Sequence, residues 1–555
     1  MRRLACATVL LLAVGLCPAP GSAVVSEPTG AELPMPSRIV LGSAFVTRPC
    51  PKELGAPKHT DVDCGFIRVP VDRSRPGSRM IKVAAAVVHS HDAQVAPEPI
   101  LVLPGGPSAP AIQPFYLQYY FKNAAWAAGH DVVLVDTRGT GSSSPRLACP
   151  EIDRAEVAHF YAKPYVGSAS HRIIGGALRE CRRHLVRRGI DPAAYTTSAG
   201  VADLEDLRAA LGVTQWNLLA VSADGVLGMS YVREHPTSIR ATIVDSGLSP
   251  QMLGVLDYER GVSLELDKIF RGCAADRACR HRYPHVRGAF MALVHRLQKH
   301  PQVIRIPDFR PHPVSIKVTG AGLYADAMFG IFPGDRFSRN EIPGLLERIW
   351  RETHGELTEV YRDLLGVGPA TNEHASDFVS LGKTMSYECH DVTNFITRGD
   401  LRRAARALPV FAERYLGSSF DLGQFFASPR SPAGCRIWKV GRAAPEQHQP
   451  VASDVPTLVL AGEYDIGVPP YVVQQIDDAL THATYVELPA SAHLQLASFN
   501  AGSTCARSIA RAFLAAPLAA PDTACVDTLP ELDFAPTRSL DGRSAVEPRS
   551  APQPW

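Results

Sequence analysis

No apolar run after the first few residues of this 555-residue chain reaches the ~20 positions that a membrane-spanning helix needs. There is no G-X-Y period, no sustained heptad and no internal repeat, which excludes collagenous and coiled-coil architectures. An excess of either charge is also missing. Lys+Arg number 57 and Asp+Glu 55, a net charge of +2, and a balanced chain is not a general nucleic-acid or anionic-membrane binder. The 12 cysteines include no CxxC pair, which argues against structural zinc. What remains, at 46% hydrophobic, 7% aromatic and 20% charged residues, has the composition of a soluble globular protein.

At the amino end, Arg2 and Arg3 precede a mostly apolar stretch from Leu4 to Leu16, and the small residues Gly21, Ser22 and Ala23 follow. This pattern predicts a secretory signal peptide over residues 1–23 and a secreted or cell-envelope protein. Cys6 and Cys17 leave with it, so ten cysteines remain. An even count in an exported chain predicts disulfides. Joining neighbours along the chain gives Cys50–Cys64, Cys149–Cys181, Cys273–Cys279, Cys389–Cys435 and Cys505–Cys525, a pairing that sequence alone does not fix.

Two early strands are expected at 66–71 and 81–88. The wholly apolar runs 100–103, 131–135, 217–221 and 241–245 then alternate with helical stretches such as 201–211 and 223–234. Buried parallel strands have this appearance, and the alternation predicts an α/β sheet. Over 251–440 it gives way to helical patterns, and it resumes with strands at 457–461 and 483–488. The organisation read from this is a first core segment at 40–250, an inserted, mainly helical cap at 251–440, and a second core segment at 441–530. A polar, Pro-rich tail over 535–555 is expected to be disordered.

Ser222 falls where the 217–221 strand turns into a helix. Taken alone it reads as a helix N-cap. Asp465 and His493 change that, because each lies just past a strand, at the sheet edge where catalytic groups gather. The order Ser, acid, His is that of α/β-hydrolases. In such a triad His493 takes the Ser222 proton, and Asp465 fixes the imidazole tautomer and stabilises its cation. His482 and Glu463 are the lesser candidates for base and acid. The backbone N–H groups of Gly105, Gly106 and Ala223 are expected to form the oxyanion hole. Trp438 and Glu388, beside Cys435 and Cys389, are expected to line the cap side of the cleft, with Glu388 reading a substrate amine. His89-Ser-His-Asp92 is a weak metal pattern in a polar connection. No metal and no cofactor are expected.

The motifs Leu103-Pro-Gly-Gly-Pro107, Asp136-Thr-Arg-Gly-Thr-Gly-Ser-Ser143, Asp203-Leu-Glu-Asp-Leu-Arg208, Gly462-Glu-Tyr-Asp465 and Pro521-Asp-Thr-Ala-Cys525 together resemble the secreted tripeptidyl-aminopeptidase-like α/β-hydrolases of actinobacteria, which are related to prolyl aminopeptidases. The resemblance spans roughly residues 45–530. It implies an α/β-hydrolase fold and an acyl-enzyme route acting on a peptide or ester substrate selected by the cap, in a chain taken to work as a monomer. An esterase, or a weakly active member that binds peptides, is the alternative it leaves. The nucleophile elbow departs from the family's G-x-S-Y-G, because Ala220, Ala223 and Asp224 stand where the family has glycine, an aromatic and glycine. A carboxylate at Asp224 is expected to oppose the negative charge that develops in acyl transfer.

Overall fold

The structure is a computed structural model. It describes residues 39–534 apart from residue 40 and several internal stretches, the longest being 325–340, 368–378 and 408–431. The predicted signal peptide and C-terminal tail lie outside the described residues.

Eleven strands are described: β1 (Val46–Arg48), β2 (Val62–Pro70), β3 (Met80–Val88), β4 (Ile100–Leu103), β5 (Val132–Asp136), β6 (Trp216–Val221), β7 (Ile239–Asp245), β8 (Gln302–Ile306), β9 (Val314–Val318), β10 (Thr457–Gly462) and β11 (Ala483–Leu488). Nine of them form one sheet in the order β1-β2-β3-β5-β4-β6-β7-β10-β11. The pairings β1·β2, β2·β3 and β3·β5 are antiparallel; from β5 to β11 every pairing is parallel. The central strands are buried on both faces, as β4 and β6 show along their whole length. Their continuous apolar runs follow from that, because a parallel strand covered by helices on both sides has no solvent face to make polar.

β7 and β10 are neighbours in the sheet although they are distant in sequence. Between them lie helices at Val255–Ala275, Val286–Lys299, Glu341–Thr353, Leu357–Val367 and Leu381–Tyr387, and the separate β8–β9 pair. Phe270, Phe290, Leu346, Ile304 and Ile316 make a core of their own in this stretch. Met385, Cys389 and Trp438 instead pack into the core beneath the main sheet, together with Leu147 and Cys181.

Five disulfides join Cys50–Cys64, Cys149–Cys181, Cys273–Cys279, Cys389–Cys435 and Cys505–Cys525. The resemblance motifs around Asp136 and Asp203 are architectural. Arg138 has no exposed surface and forks onto the Asp203 carboxylate at 2.6 Å through both Nε and Nη2. Its remaining donors meet the carbonyls of Val71, Ala194 and Pro70. Asp136 takes the N–H groups of Ala111, Ile112 and Ser142, which pins the loop that follows β4.

Candidate active site

Ser222 leaves β6 on a tight turn, with φ of 51°. A non-glycine residue at positive φ is strained and is tolerated only where its surroundings over-determine it. Leu248 N–H bonds the Ser222 carbonyl at 2.9 Å. The helix Gly225–Glu234 starts directly behind the turn. A side chain at Gly225 would collide with the Leu248 backbone at 2.6 Å, and one at Gly228 would collide with Ala220 Cβ at the same distance. The close approach of helix to strand is thus carried by Gly225 and Gly228, which lets alanine and aspartate occupy the two usual glycine positions of the elbow.

The three sequence-predicted residues converge. His493 Nε2 is 3.0 Å from Ser222 Oγ, and His493 Nδ1 is 2.7 Å from Asp465 Oδ2. Asp465 is fully buried at the end of β10, and its other oxygen accepts the N–H of Val468 at 2.8 Å. With Nδ1–H given to Asp465, the lone pair of Nε2 faces the serine hydroxyl, which is the tautomer a general base requires. Of the lesser candidates, Glu463 is turned away to the Ala490 N–H. His482 sits before β11, where its carbonyl accepts the Thr457 N–H.

Of the three expected oxyanion donors, Gly105 is engaged by a side chain. Gly105 lies against the serine, since a Cβ on it would stand 2.9 Å from Ser222 Cβ. Its N–H, however, donates to Asp224 Oδ2 at 2.9 Å. Asp224 therefore acts by contact and not only across space, its carboxylate occupying one of the expected donors. Gly106 continues the loop at φ 51°, and Ala223 is buried on the serine turn. Burial pushes the Asp224 carboxyl up to about 6, while the Gly105 N–H and the Lys383 charge act in the opposite sense.

The recess beside Asp224 is lined by Ser108, Thr137, Thr197, Leu227, Lys383 and Tyr387. Lys383 is buried, bonds the Tyr195 carbonyl at 2.9 Å, and is lowered by that burial to about 8. Nothing in the local sequence singles out Lys383 or Thr197, because a lone lysine or threonine in a helical stretch carries no spacing signal. Trp438 corrects the sequence reading. It is wholly buried in the main core, its indole N–H bonds Ser386 Oγ, and it does not line the cleft. Glu388 is buried in the turn Glu388–Val392; the residues of this stretch that line the recess are Lys383 and Tyr387. His89 lies between Asp63 and Asp131. Among the described residues no group of three or more His, Cys, Asp or Glu is placed to hold a metal ion, and no helix is long and apolar enough to cross a membrane.

A model of the alpha/beta hydrolase fold matches residues 98–343, which includes β4 through β7 and the Ser222 turn. The chain has the alpha/beta hydrolase fold. A second model, of TAP-like proteins, matches residues 423–525 and takes in Asp465 and His493. Over 208 residues the chain is 31% identical to a tripeptidyl aminopeptidase of Streptomyces coelicolor, a match covering 36% of this chain and 37% of that protein. It is 25% identical over 234 residues to the serine protease Hip1 of Mycobacterium tuberculosis, covering 39% of this chain and 42% of that protein. The chain therefore matches well under half the length of either relative.

Proposed function

We propose that this alpha/beta hydrolase is an exported serine hydrolase that cleaves peptides near a free amino terminus through an acyl-enzyme on Ser222. The observation that carries the reading is the unbroken hydrogen-bond line from Asp465 through His493 to Ser222. Ser222 Oγ attacks the scissile carbonyl carbon while His493 Nε2 takes the hydroxyl proton, and the imidazolium that forms is stabilised by Asp465. The carbonyl electron pair moves onto oxygen, where backbone N–H groups of Ala223 and the Gly105–Gly106 loop receive it. Collapse of this intermediate expels the amine, which takes its proton from His493. Water, deprotonated by the same base, then releases the acyl group and restores Ser222. Five disulfides favour an oxidising compartment, and the relatives named a tripeptidyl aminopeptidase and a serine protease favour peptide chemistry.

A second reading, a weakly active protein that binds peptides, draws on one observation, the occupation of the Gly105 N–H by Asp224. Labelling with a fluorophosphonate separates the two, because only a serine activated by an adjacent base attacks that phosphorus readily. Wild type is expected to label and Ser222→Ala is not. Labelling that persists in Ser222→Ala removes the assignment, and unlabelled wild type favours the binding reading.

A further inference from the structure

Asp224 ends the 3-10 turn Ser222–Asp224 that leads into the helix Gly225–Glu234, and its Oδ2 accepts the Gly105 N–H, while Gly105 itself abuts the Ser222 side chain. Gly105 thus contacts both the carboxylate and the nucleophilic residue. Among the described residues Asp224 makes no ion pair. The nearby cation, Lys383, gives its hydrogen bond to the Tyr195 carbonyl. Around the carboxylate lie the side chains of Ser108, Thr137, Thr197 and Tyr387, with Leu227 as the apolar wall. A carboxylate so enclosed, with one backbone N–H and no cation in contact, is short of positive charge.

We propose that Asp224 reads the α-ammonium group of the substrate, and that its place beside Ser222 sets the enzyme to remove a single amino-terminal residue at a time. The proposal rests on the serine-hydrolase reading above for its chemistry, but not for its binding site. In an aminoacyl group the amine nitrogen and the carbonyl oxygen are separated by three bonds, about 3 Å. An acyl oxygen placed on the Gly105 N–H therefore brings its own α-ammonium against the carboxylate that held that N–H beforehand. The amine of a tripeptidyl group starts two residues further out, about 7 Å more, and passes beyond Asp224.

The same contact acts as a latch. While Asp224 holds Gly105, the oxyanion donor is occupied. When an ammonium draws the carboxylate away, the N–H is released to the acyl oxygen. The correct substrate thus assembles part of its own site, and an electrophile without the amine has to displace the carboxylate unaided and reacts more slowly. The aspartate that departs from the elbow pattern becomes the device that selects the substrate.

Binding to the Ser222→Ala protein, which cannot turn over, tests this by calorimetry with alanine amide, N-acetylalanine amide and trialanine amide. Alanine amide is expected to bind about ten- to a hundred-fold more tightly than the acetylated compound, the size of one charge-assisted hydrogen bond, and more tightly than trialanine amide. Adding Asp224→Asn is expected to erase both differences, and Asp224→Gly provides a second variant should the asparagine protein fold poorly. Equal binding of the free and acetylated amides, tighter binding of trialanine amide, a preference that survives in both Asp224 variants, or no binding of alanine amide would each overturn the proposal. Fluorophosphonate labelling of wild type keeps the two readings apart: labelling without amine selectivity defeats this proposal alone, and amine selectivity without labelling defeats the hydrolase reading alone.

Discussion

The carboxylate of Asp245 accepts the backbone N–H of Gln495 at 2.6 Å, across 250 residues of chain. Its second oxygen takes the Leu496 N–H at 3.0 Å and the Tyr120 hydroxyl at 3.1 Å. Next to it, Ser246 Oγ accepts the Leu494 N–H at 3.1 Å. The tip of β7 therefore holds the three residues that follow His493, and Leu494 is kept at φ 69°. Asp245 holds the loop that carries His493, the proposed base, without touching Ser222 itself.

Replacing that carboxylate should loosen the loop before it unfolds the sheet. Asp245→Asn retains one acceptor and puts a donor against a backbone N–H. We expect a loss of about 2–3 kcal/mol of stability, the scale for buried hydrogen bonds to a charged group. Fluorophosphonate labelling of the folded variant should also slow more than about ten-fold, because a displaced base no longer activates Ser222. Urea titration and labelling rates measured together decide it. Reduced stability with an unchanged labelling rate would show that the His493 loop does not depend on Asp245.

Arg138 offers a prediction about architecture. Both partners of its pair with Asp203 are almost wholly buried. Removing one partner from such a pair typically costs on the order of 3–5 kcal/mol, since the other charge is left without compensation. Arg138→Met should fall in that range, although Arg73 still reaches Asp203 at 2.7 Å. The double variant Arg138→Met, Asp203→Leu should lose less than the sum of the two single variants. Additive losses in denaturant titrations would mean that the two groups are not energetically coupled.

Much of this was legible in the sequence because burial leaves a mark on it. The run Ile100-Leu-Val-Leu103 is apolar at every position because β4 has neighbours on both edges and helices on both faces. Asp465 is legible because it follows β10, a strand of the same kind; His493 follows β11, an edge strand of mixed burial, and is marked only by its place just past a strand. β1 carries no such mark, since its three residues are all exposed and it is a strand only through pairing with β2. β8 has the exposed residues Gln302, Val303 and Arg305 in five positions, a weak pattern for a strand. The contact of Asp224 with Gly105 depends on a rotamer and on the path of a loop 119 residues away. No local spacing encodes that. Trp438 was misplaced for a related reason: a tryptophan beside a disulfide looks the same in sequence whether it faces a cleft or a core.

The disulfides give a prediction about compartment and stability together. Intact mass after alkylation of the denatured, unreduced protein should show no reactive thiol among the ten cysteines bridged in the structure. Cys505–Cys525 closes a separation of 20 residues and ties the helix Ser503–Ala515 to the segment after it. Replacing both cysteines by serine should cost about 3 kcal/mol from loop-closure entropy, read as a lower midpoint in urea. Two or more alkylated cysteines in protein recovered from the medium would contradict the five bridges.

The pH dependence of substrate choice follows from Asp224. Burial raises its carboxyl from 3.8 to about 6 in the folded chain. A carboxyl raised on folding stabilises the protein in its neutral form, fully so below the unfolded value, and that stability is lost as pH rises through about 6. The difference amounts to at most about 3 kcal/mol and should be less here, because the residue is partly open to the cleft. Asp224→Asn should therefore gain on wild type in stability between pH 4 and 7. Reading an ammonium requires the ionised carboxylate, so activity moves in the opposite sense. The ratio of kcat/KM for alanine p-nitroanilide to that for its N-acetyl counterpart should rise through about pH 6 and then level off. His493 serves both substrates and divides out of the ratio. Above about pH 8 the ratio should fall again as the substrate amine loses its proton, even though Lys383, which faces the same recess and is lowered to about 8, then ceases to repel it. In Asp224→Asn the rise near pH 6 should vanish. A wild-type ratio that stays flat from pH 4 to 8 would mean that the carboxylate does not meet the amine.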